Sequence, residues 1–307
     1  MRARFMQVTS EESRPRPVES MVELRLTFHP PYDAHQVGHF LRSRAIAGLE
    51  THDDAAGGWI HRRVIQLPSG PTTVEVSVGD DHVLVRTDRD LPETSQLEAI
   101  VRKWLDLDAE PQAINETLSR DEVLRPLVTS RPGMRVPTTV DAWETLVRAI
   151  VGQQVSVAGA TTVLGRLVGA ARKSPEPALG PFPDALAMAD LGVDRIAQLG
   201  MPGARARTLA LVARNVAAGE VDLRNADPAA LRAQLLAMPG IGPWTVNYMQ
   251  LRGLGDRDAF PETDLIVKNN ARRLGLPEKT SDLALYSQKW SPWRAYAAHH
   301  IWSLPKD

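Results

Sequence analysis

Residues 238–249, MPGIGPWTVNYM, place two glycines and two prolines between apolar stretches late in the chain. The helix predicted for PAALRAQLLAM must end at Pro239 and Gly240, and a second helix can begin at Pro243, because proline fits the first turn of a helix. Gly240 and Gly242 allow positive φ and the close approach of a foreign backbone. Since a helix start exposes unpaired backbone N–H groups, the segment predicts a turn that binds phosphate without basic side chains. The alternative is a helical hairpin whose glycines only satisfy packing.

Two aromatic residues follow this turn. Trp244 and Tyr248 are four positions apart and therefore project from the same face of the second helix. Electron-rich rings attract cations by about 0.5–2 kcal/mol each, so the pair can hold a flat, positively charged ligand. The alternative is that both rings pack in the core. The chain contains seven tryptophans and only five phenylalanines, an imbalance that favours rings placed for binding.

Asp264 begins a predicted helix, DLIVKNNARRLG, directly after FPET. A fixed carboxylate can stabilise positive charge that develops in a transition state. An aspartate at a helix start also commonly accepts hydrogen bonds from the first backbone N–H groups, so simple capping is the alternative. Glu262 is the neighbouring carboxylate that competes for the catalytic role.

The elements that position these residues change in type along the chain. Residues 22–90 predict a small α+β unit, with strands over 22–28, 61–67, 72–78 and 82–87, and a helix over 34–49. A second helix near 94–105 closes the unit, and past Pro111 the pattern predicts only helices. These are placed at 111–118, 120–128, 139–154, 156–171, 183–189, 193–199, 204–218, 228–237, 243–254, 264–274, 279–289 and 292–303.

Composition limits the possible functions. With 307 residues, 43% of them hydrophobic and 24% charged, the chain is typical of a globular protein of two or three domains. It has no cysteine, which excludes disulfides, a thiolate nucleophile and a cysteine-held iron–sulfur cluster, and predicts a cytoplasmic location. The formal net charge is −1, so binding of a polyanion must depend on local amide donors and a few placed cations. No apolar run is long enough to cross a bilayer.

Four separated segments resemble the helix–hairpin–helix DNA glycosylases, and among them the 3-methyladenine DNA glycosylase II (AlkA) type. In chain order they are HPPYD, VDAWETLVRAIVGQQVSV, MPGIGPWTVNYMQLRGLGDRDAFPETDLIVK and WSPWRAYAAHHIW, and the resemblance covers roughly residues 22–303. It implies an α+β fold in which a small mixed N-terminal antiparallel sheet domain precedes two all-helical domains that flank an active-site cleft. The expected boundaries are a disordered leader (1–20), the N-terminal domain (21–110), one helical domain (111–137 plus 256–307) and a second that carries the helix–hairpin–helix motif (138–255).

The resemblance also implies roles for individual residues. Asp264 matches the catalytic aspartate of the family, and Gln154 aligns with the side chain that fills the gap left by an extruded base. The best-known member type has an apolar residue at that position, so glutamine is a departure. The implied base pocket consists of Trp244, Tyr248, Trp302 and Phe40, although the helix of Phe40 needs an apolar face in any case.

The hairpin carries the implied contacts with DNA. Its phosphate-binding residues are Gly240, Ile241, Gly242, Pro243, Trp244 and Thr245. A monovalent cation, Na+ or K+, is expected at the backbone carbonyls of Leu236, Met238 and Ile241, where it would bridge to phosphate. The resemblance implies no organic cofactor.

Trp244 occupies the place of the lysine nucleophile that strand-cleaving members carry after the hairpin. Lysine can form a Schiff base with the sugar and tryptophan cannot. We therefore predict a monofunctional DNA glycosylase of base excision repair that hydrolyses the N-glycosidic bond of alkylated, 3-methyladenine-like bases. Its partner would be damaged double-stranded DNA at the nucleoid, bound by a monomer. The alternatives are a glycosylase for other damaged bases and a non-catalytic DNA-binding protein, which has no use for Asp264 or the aromatic residues.

Overall fold

The computed structural model describes residues 22–55, 57–172, 179–223 and 227–305. The predicted leader, residues 1–20, lies outside these ranges. An N-terminal antiparallel sheet with two helices precedes a part built from helices, which confirms the predicted α+β fold class. Within the described ranges, no helix is long and apolar enough to cross a membrane.

The sheet has five strands in the order β1-β5-β4-β3-β2, and all neighbouring strands are antiparallel. The strands are β1 (Val22–Thr27), β2 (Glu50–Ala55), β3 (Gly58–Leu67), β4 (Gly70–Val78) and β5 (His82–Thr87). The four predicted strands are present, and β2 is an additional one. Its sequence, ETHDDA, has no alternating apolar residues because β2 is an edge strand whose side chains are mostly exposed.

Every helix predicted from the sequence has a counterpart. The N-terminal helices are α1 (Ala34–Arg44) and α2 (Thr94–Trp104). The helical part contains α3 (Pro111–Leu118), α4 (Arg125–Ser130), α5 (Ala142–Gly152), α6 (Val157–Ala171), α7 (Ala185–Asp190), α8 (Gly192–Gln198), α9 (Gly203–Ala217), α10 (Pro228–Leu236), α11 (Pro243–Met249), α12 (Leu265–Arg273), α13 (Thr280–Tyr286) and α14 (Arg294–Trp302). A π-helical turn (Gln250–Leu254) extends α11, and a 3-10 turn (Ser287–Trp290) extends α13.

Two helices have one end five residues away from its predicted position. The helix predicted over 34–49 is α1, which ends before Ala45 because that residue has an extended backbone. The helix predicted over 120–128 is α4, which begins only at Arg125. Before it, the Asp121 carboxylate accepts hydrogen bonds from the Val123 backbone and the Trp290 indole, both at 2.9 Å, and holds these residues in a turn.

Buried hydrophobic residues form three clusters that meet around the predicted site. The first lies between the sheet, α1 and α2, the second joins α3 and α4 to α12–α14, and the third fills the space among α5–α11. Met249, at the end of α11, belongs to the third cluster, whereas Leu251 in the π-helical turn belongs to the second. The predicted domain boundaries remain predictions, but α11 and its extension physically connect the two helical cores.

A buried ion cluster joins the sheet to α5. Arg63 on β3 donates to Glu50 at 2.8 Å and to Glu144 at 2.6 Å. Arg148 donates to the same carboxylates, at 2.9 Å to Glu50 and 2.8 Å to Glu144. Burial alone would raise the pKa of Glu50, but Arg148 and Arg63 hold that pKa well below its usual range. Each charge therefore has two opposite neighbours, which compensates for the loss of water around it.

The turn between α10 and α11 has one closed and one open side. Gly240 has a φ of 87°, and a Cβ at this position would overlap Thr208 Oγ1 of α9. The same hydroxyl donates to Pro239 O at 3.1 Å, so α9 supports the turn from behind. Gly242 instead has extended backbone, with a φ of −109°, and a Cβ there would meet nothing within 4 Å. The fold requires glycine at position 240, whereas position 242 faces free space at the start of α11.

The ion cluster gives the first prediction. Arg63→Met leaves two buried carboxylates short of a partner, so the free energy of unfolding should fall by about 3–5 kcal/mol in urea denaturation. Arg272→Met is the matched control, because Arg272 pairs with Glu278 at 3.3 Å on the exposed surface. That change should cost under about 1 kcal/mol. Equal small losses in both variants would show that the cluster does not stabilise the fold.

The two glycines of the turn give a second prediction. Gly240→Ala should lower the free energy of unfolding by about 2 kcal/mol or more, because alanine is strained at positive φ and its methyl group overlaps Thr208. Gly242→Ala should change that free energy by less than about 0.5 kcal/mol. Thermal and urea denaturation measure both values. A Gly242→Ala variant as unstable as Gly240→Ala would contradict the open geometry at position 242.

Candidate active site

Asp264 is the N-cap residue of α12 and the centre of a polar and aromatic cluster. Its Oδ1 accepts hydrogen bonds from the backbone N–H groups of Ile266 and Val267, both at 2.9 Å. The same oxygen accepts from Trp302 Nε1 at 2.9 Å, and Oδ2 accepts from Trp244 Nε1 at 2.6 Å. The carboxylate thus receives four N–H donors. Capping of α12 and a central place in the site are therefore compatible.

Three of the four predicted pocket rings cluster near this carboxylate, two by direct contact and Tyr248 through Trp244. Trp244 and Tyr248 on α11 stack with their ring centroids 5.4 Å apart and their planes inclined by 25°. Trp302, the last residue of α14, reaches the same aspartate from another direction. These three rings and Asp264 are each half-buried, so the cluster keeps an accessible side.

Phe40 lies deeper than the other three rings and is covered by two arginines. The guanidinium carbons of Arg44 and Arg252 are 4.3 Å and 4.4 Å from its ring centroid. Phe40 is only 9% exposed. Arg252 also lies 5.8 Å from the Trp302 ring centroid, so its guanidinium stands between Phe40 and the half-buried rings. Phe40 therefore packs against the Arg252 guanidinium.

The deep end of the cluster is positively charged. Arg252 is 3% exposed and donates to Pro137 O, and among the described residues it forms no salt bridge. Burial lowers the pKa of Arg252 to about 9, which leaves the side chain protonated at neutral pH. His299 contacts the edge of Trp302, and burial together with Arg252 and Arg44 lowers its pKa, so the imidazole is neutral there. A buried cation therefore lies near the Trp302 ring, and the Asp264 carboxylate lies at the indole nitrogens of Trp244 and Trp302.

Glu262, the competing carboxylate, is engaged elsewhere. Its Oε2 accepts a hydrogen bond from Asn247 Nδ2 at 3.0 Å. Asn247 in turn accepts from Arg232 at 2.8 Å, which ties Glu262 to α10 and α11. Asp264 is the carboxylate of this pair that contacts the tryptophans.

Gln154 lies in the loop between α5 and α6, at the border of the aromatic cluster. It is exposed and has a φ of 56°, a region that non-glycine residues rarely adopt. A Cβ on the nearby Gly152 would be 4.0 Å from the Trp244 ring, so the loop and the ring are neighbours. The side chain of Gln153, the preceding residue, is hydrogen-bonded to the hairpin rather than to solvent.

Two participants in this arrangement are absent from the sequence prediction, the basic residue Arg252 and the amide Gln153. Arg252 had a usable signal, since it follows Tyr248 by one helical turn and so shares a helix face with both predicted rings. Gln153 had none, because its hydrogen-bond partners are distant in sequence and only the packing of helices brings them together.

Comparison with known proteins relates this chain to described families. Residues 23–141 match the family model described as AlkA N-terminal domain, and residues 147–295 match the HhH-GPD superfamily base excision DNA repair protein model. Two Mycobacterium tuberculosis relatives named probable bifunctional transcriptional activator/DNA repair enzyme AlkA are 40% identical over 291 residues, which cover 92% of this chain. The chain spans only 57% of their length.

Solved structures show the same fold. A 3-methyladenine DNA-glycosylase from Archaeoglobus fulgidus superposes with a TM-score of 0.77 at 18% identity, over 91% of this chain and 97% of that one. A 3-methyladenine DNA glycosylase from Schizosaccharomyces pombe, solved in complex with abasic DNA, matches with a TM-score of 0.55 at 23% identity. That match covers 62% of this chain and 95% of the other.

A relative of similar length settles the family. DNA-3-methyladenine glycosylase 2 of Escherichia coli is 32% identical over 284 residues, which cover 90% of this chain and 95% of the relative. The sequence resemblance to this family is thereby confirmed. The chain belongs to the DNA-3-methyladenine glycosylase 2 (AlkA) family of the HhH-GPD superfamily.

Proposed function

We propose that this protein is a monofunctional DNA glycosylase that removes alkylated bases from double-stranded DNA. The observation that carries the proposal is the Asp264 carboxylate, which accepts hydrogen bonds from two indole N–H groups inside a half-buried aromatic cluster. A helix cap needs neither indole. A fixed negative charge beside stacked rings is what cleavage of an N-glycosidic bond requires, since the sugar becomes positively charged in the transition state.

The reaction begins with extrusion of the damaged nucleotide, which costs a few kcal/mol and least for a damaged pair. The base would stack against the half-buried rings of Trp244, Tyr248 and Trp302, which attract a cationic base. Asp264 would face the sugar and stabilise its growing positive charge while water attacks. Because four N–H donors already orient the carboxylate, little rearrangement is needed at the moment of reaction.

The hairpin would hold the DNA backbone. The start of α11 offers unpaired N–H groups, and the free space at Gly242 admits a phosphate. A monovalent cation would be held by the backbone carbonyls of Leu236, Met238 and Ile241. Met238 O accepts one hydrogen bond in the turn, from Ile241 N at 3.1 Å, which leaves a lone pair for the ion. When bound, such a cation would supply positive charge beside the phosphate.

Hydrolysis by water, without strand cleavage, fits the position of Trp244. Its ring nitrogen is committed to Asp264, and it has no amine to attack the sugar. Lys268 follows Asp264 by one helical turn, and its backbone N–H donates to Asp264 O at 2.9 Å. We place the reaction at the nucleoid in the cytoplasm, carried out by a monomer, with no organic cofactor.

The decisive experiment incubates the protein with methylated duplex DNA and identifies the released bases. The wild type should release free alkylated bases and leave intact abasic sites, and borohydride should trap no covalent adduct. Asp264→Asn should abolish base release, because asparagine still caps a helix well but carries no charge. Affinity for abasic-analogue DNA should stay within about tenfold. Turnover at the wild-type rate in this variant would reduce Asp264 to a helix cap, and a trapped wild-type adduct would overturn the monofunctional assignment.

A further prediction separates the two roles of Trp244. Trp244→Phe keeps an aromatic ring but removes the N–H donor to Asp264. Single-turnover excision should slow about ten- to hundredfold, the value of one charge-assisted hydrogen bond of about 1.5–3 kcal/mol. The loss should be similar for a cationic base and for neutral hypoxanthine, because the damaged contact is to the carboxylate. A selective loss for cationic bases would show that Trp244 acts through stacking alone.

A further inference from the structure

The loop that carries Gln154 is attached directly to the DNA-binding hairpin. Gln153 Nε2 donates to the carbonyl oxygen of Gly240 at 3.0 Å and to Thr245 Oγ1 at 3.0 Å. A side-chain amide nitrogen has two N–H donors, so both donors are used. Gly240 is in the turn and Thr245 is in the first turn of α11. The side chain of one glutamine therefore spans from the α5–α6 loop to both halves of the hairpin.

Both ends of this connection are firmly held. On one side, α5 is bound to the sheet through Arg148 and the buried ion cluster. On the other side, Thr245 is 1% exposed, and Thr208 supports the turn beside Gly240. A hydrogen bond between two rigid elements fixes their separation more effectively than one between mobile loops.

The backbone conformation of Gln154 must be imposed by neighbouring residues. A φ of 56° is strained for glutamine and persists only where neighbouring contacts impose it. Its side chain is exposed, so contacts of that side chain with the core do not impose the backbone conformation. The preceding residue, Gln153, is anchored by its two hydrogen bonds to the hairpin.

We propose that Gln153 is a positioning residue that couples phosphate binding by the hairpin to insertion of Gln154 into the duplex. The inference rests on the proposed glycosylase function and adds a mechanism for base extrusion. A phosphate bound at the start of α11 sets the position of the DNA backbone relative to Gly240. The Gln153 amide then places Gln154 at a fixed distance from that backbone, beside Trp244 and the base pocket. Loss of the link should weaken extrusion and leave binding of undamaged DNA nearly intact.

The test uses Gln153→Met, which has similar length and no net charge but donates no hydrogen bond. Three quantities are measured. The first is the affinity for undamaged duplex at fixed salt. On a second duplex, the fluorescence rise of 2-aminopurine placed next to a hypoxanthine reports extrusion, and single-turnover excision of that hypoxanthine gives the rate. Gln153→Met should reduce the extrusion signal and the excision rate by about tenfold or more, with duplex affinity within about threefold.

Two further variants serve as controls. Gln154→Ala removes the inserted side chain itself and should reproduce the loss of extrusion. Thr245→Val keeps the shape of the partner but removes one of the two acceptors, so it should cause a smaller loss in the same direction. Combined with Gln153→Met it should add almost nothing, because the contact is already gone. Thr245→Val also tests the contact if Gln153→Met fails to fold.

The outcomes separate the inference from the function on which it rests. If the wild type neither extrudes nor releases the hypoxanthine and also releases no alkylated base from methylated duplex DNA, the proposed function is wrong. If Gln154→Ala loses extrusion while Gln153→Met and Thr245→Val retain it, only the coupling is wrong. Equal losses of duplex affinity and excision in Gln153→Met would also overturn it, since Gln153 would then maintain the hairpin as a whole.

Discussion

Four N–H donors converge on the carboxylate of Asp264, and the geometry of the site follows from that convergence. Two donors are backbone groups of α12, one is the Trp244 indole of α11 and one is the Trp302 indole of α14. A single carboxylate thereby fixes three helices and two rings relative to each other. Charge-assisted hydrogen bonds are strong where water is partly excluded, so the arrangement is preorganised before any ligand arrives. The family to which the chain belongs gives this arrangement its chemical meaning.

The distribution of charge around the site complements this carboxylate. Positive charge on Arg44 and Arg252 lies against the Phe40 ring, and the negative charge of Asp264 lies at the indole nitrogens of Trp244 and Trp302. The hairpin adds backbone N–H groups rather than basic side chains, which is how a chain with a net charge of −1 can bind a polyanion. The two glycines of the turn have different roles. Gly240 allows the turn to pack against Thr208, whereas Gly242 leaves the free space in which we propose that a phosphate binds.

The sequence predicted the fold class and the helices well, because apolar spacing and proline–glycine punctuation are local signals. It also predicted that Trp244 and Tyr248 share a face, which is a matter of helical spacing alone. The strand β2 escaped prediction because an exposed edge strand needs no apolar alternation. The contact between Arg252 and Phe40 and the contacts of Gln153 escaped because they depend on packing between distant segments. The Gln153–Gly240 bond, for example, joins residues 87 positions apart.

A crystal structure bound to duplex DNA tests the account most directly, if one nucleotide of the duplex is replaced by a protonated pyrrolidine that imitates the charged sugar. We expect the ring cation to lie about 3–4 Å from an Asp264 carboxylate oxygen, outside the stacked rings, with a DNA phosphate against the backbone at Gly242. A pyrrolidine bound elsewhere, while both indoles stay hydrogen-bonded to Asp264, would contradict a catalytic role for this carboxylate.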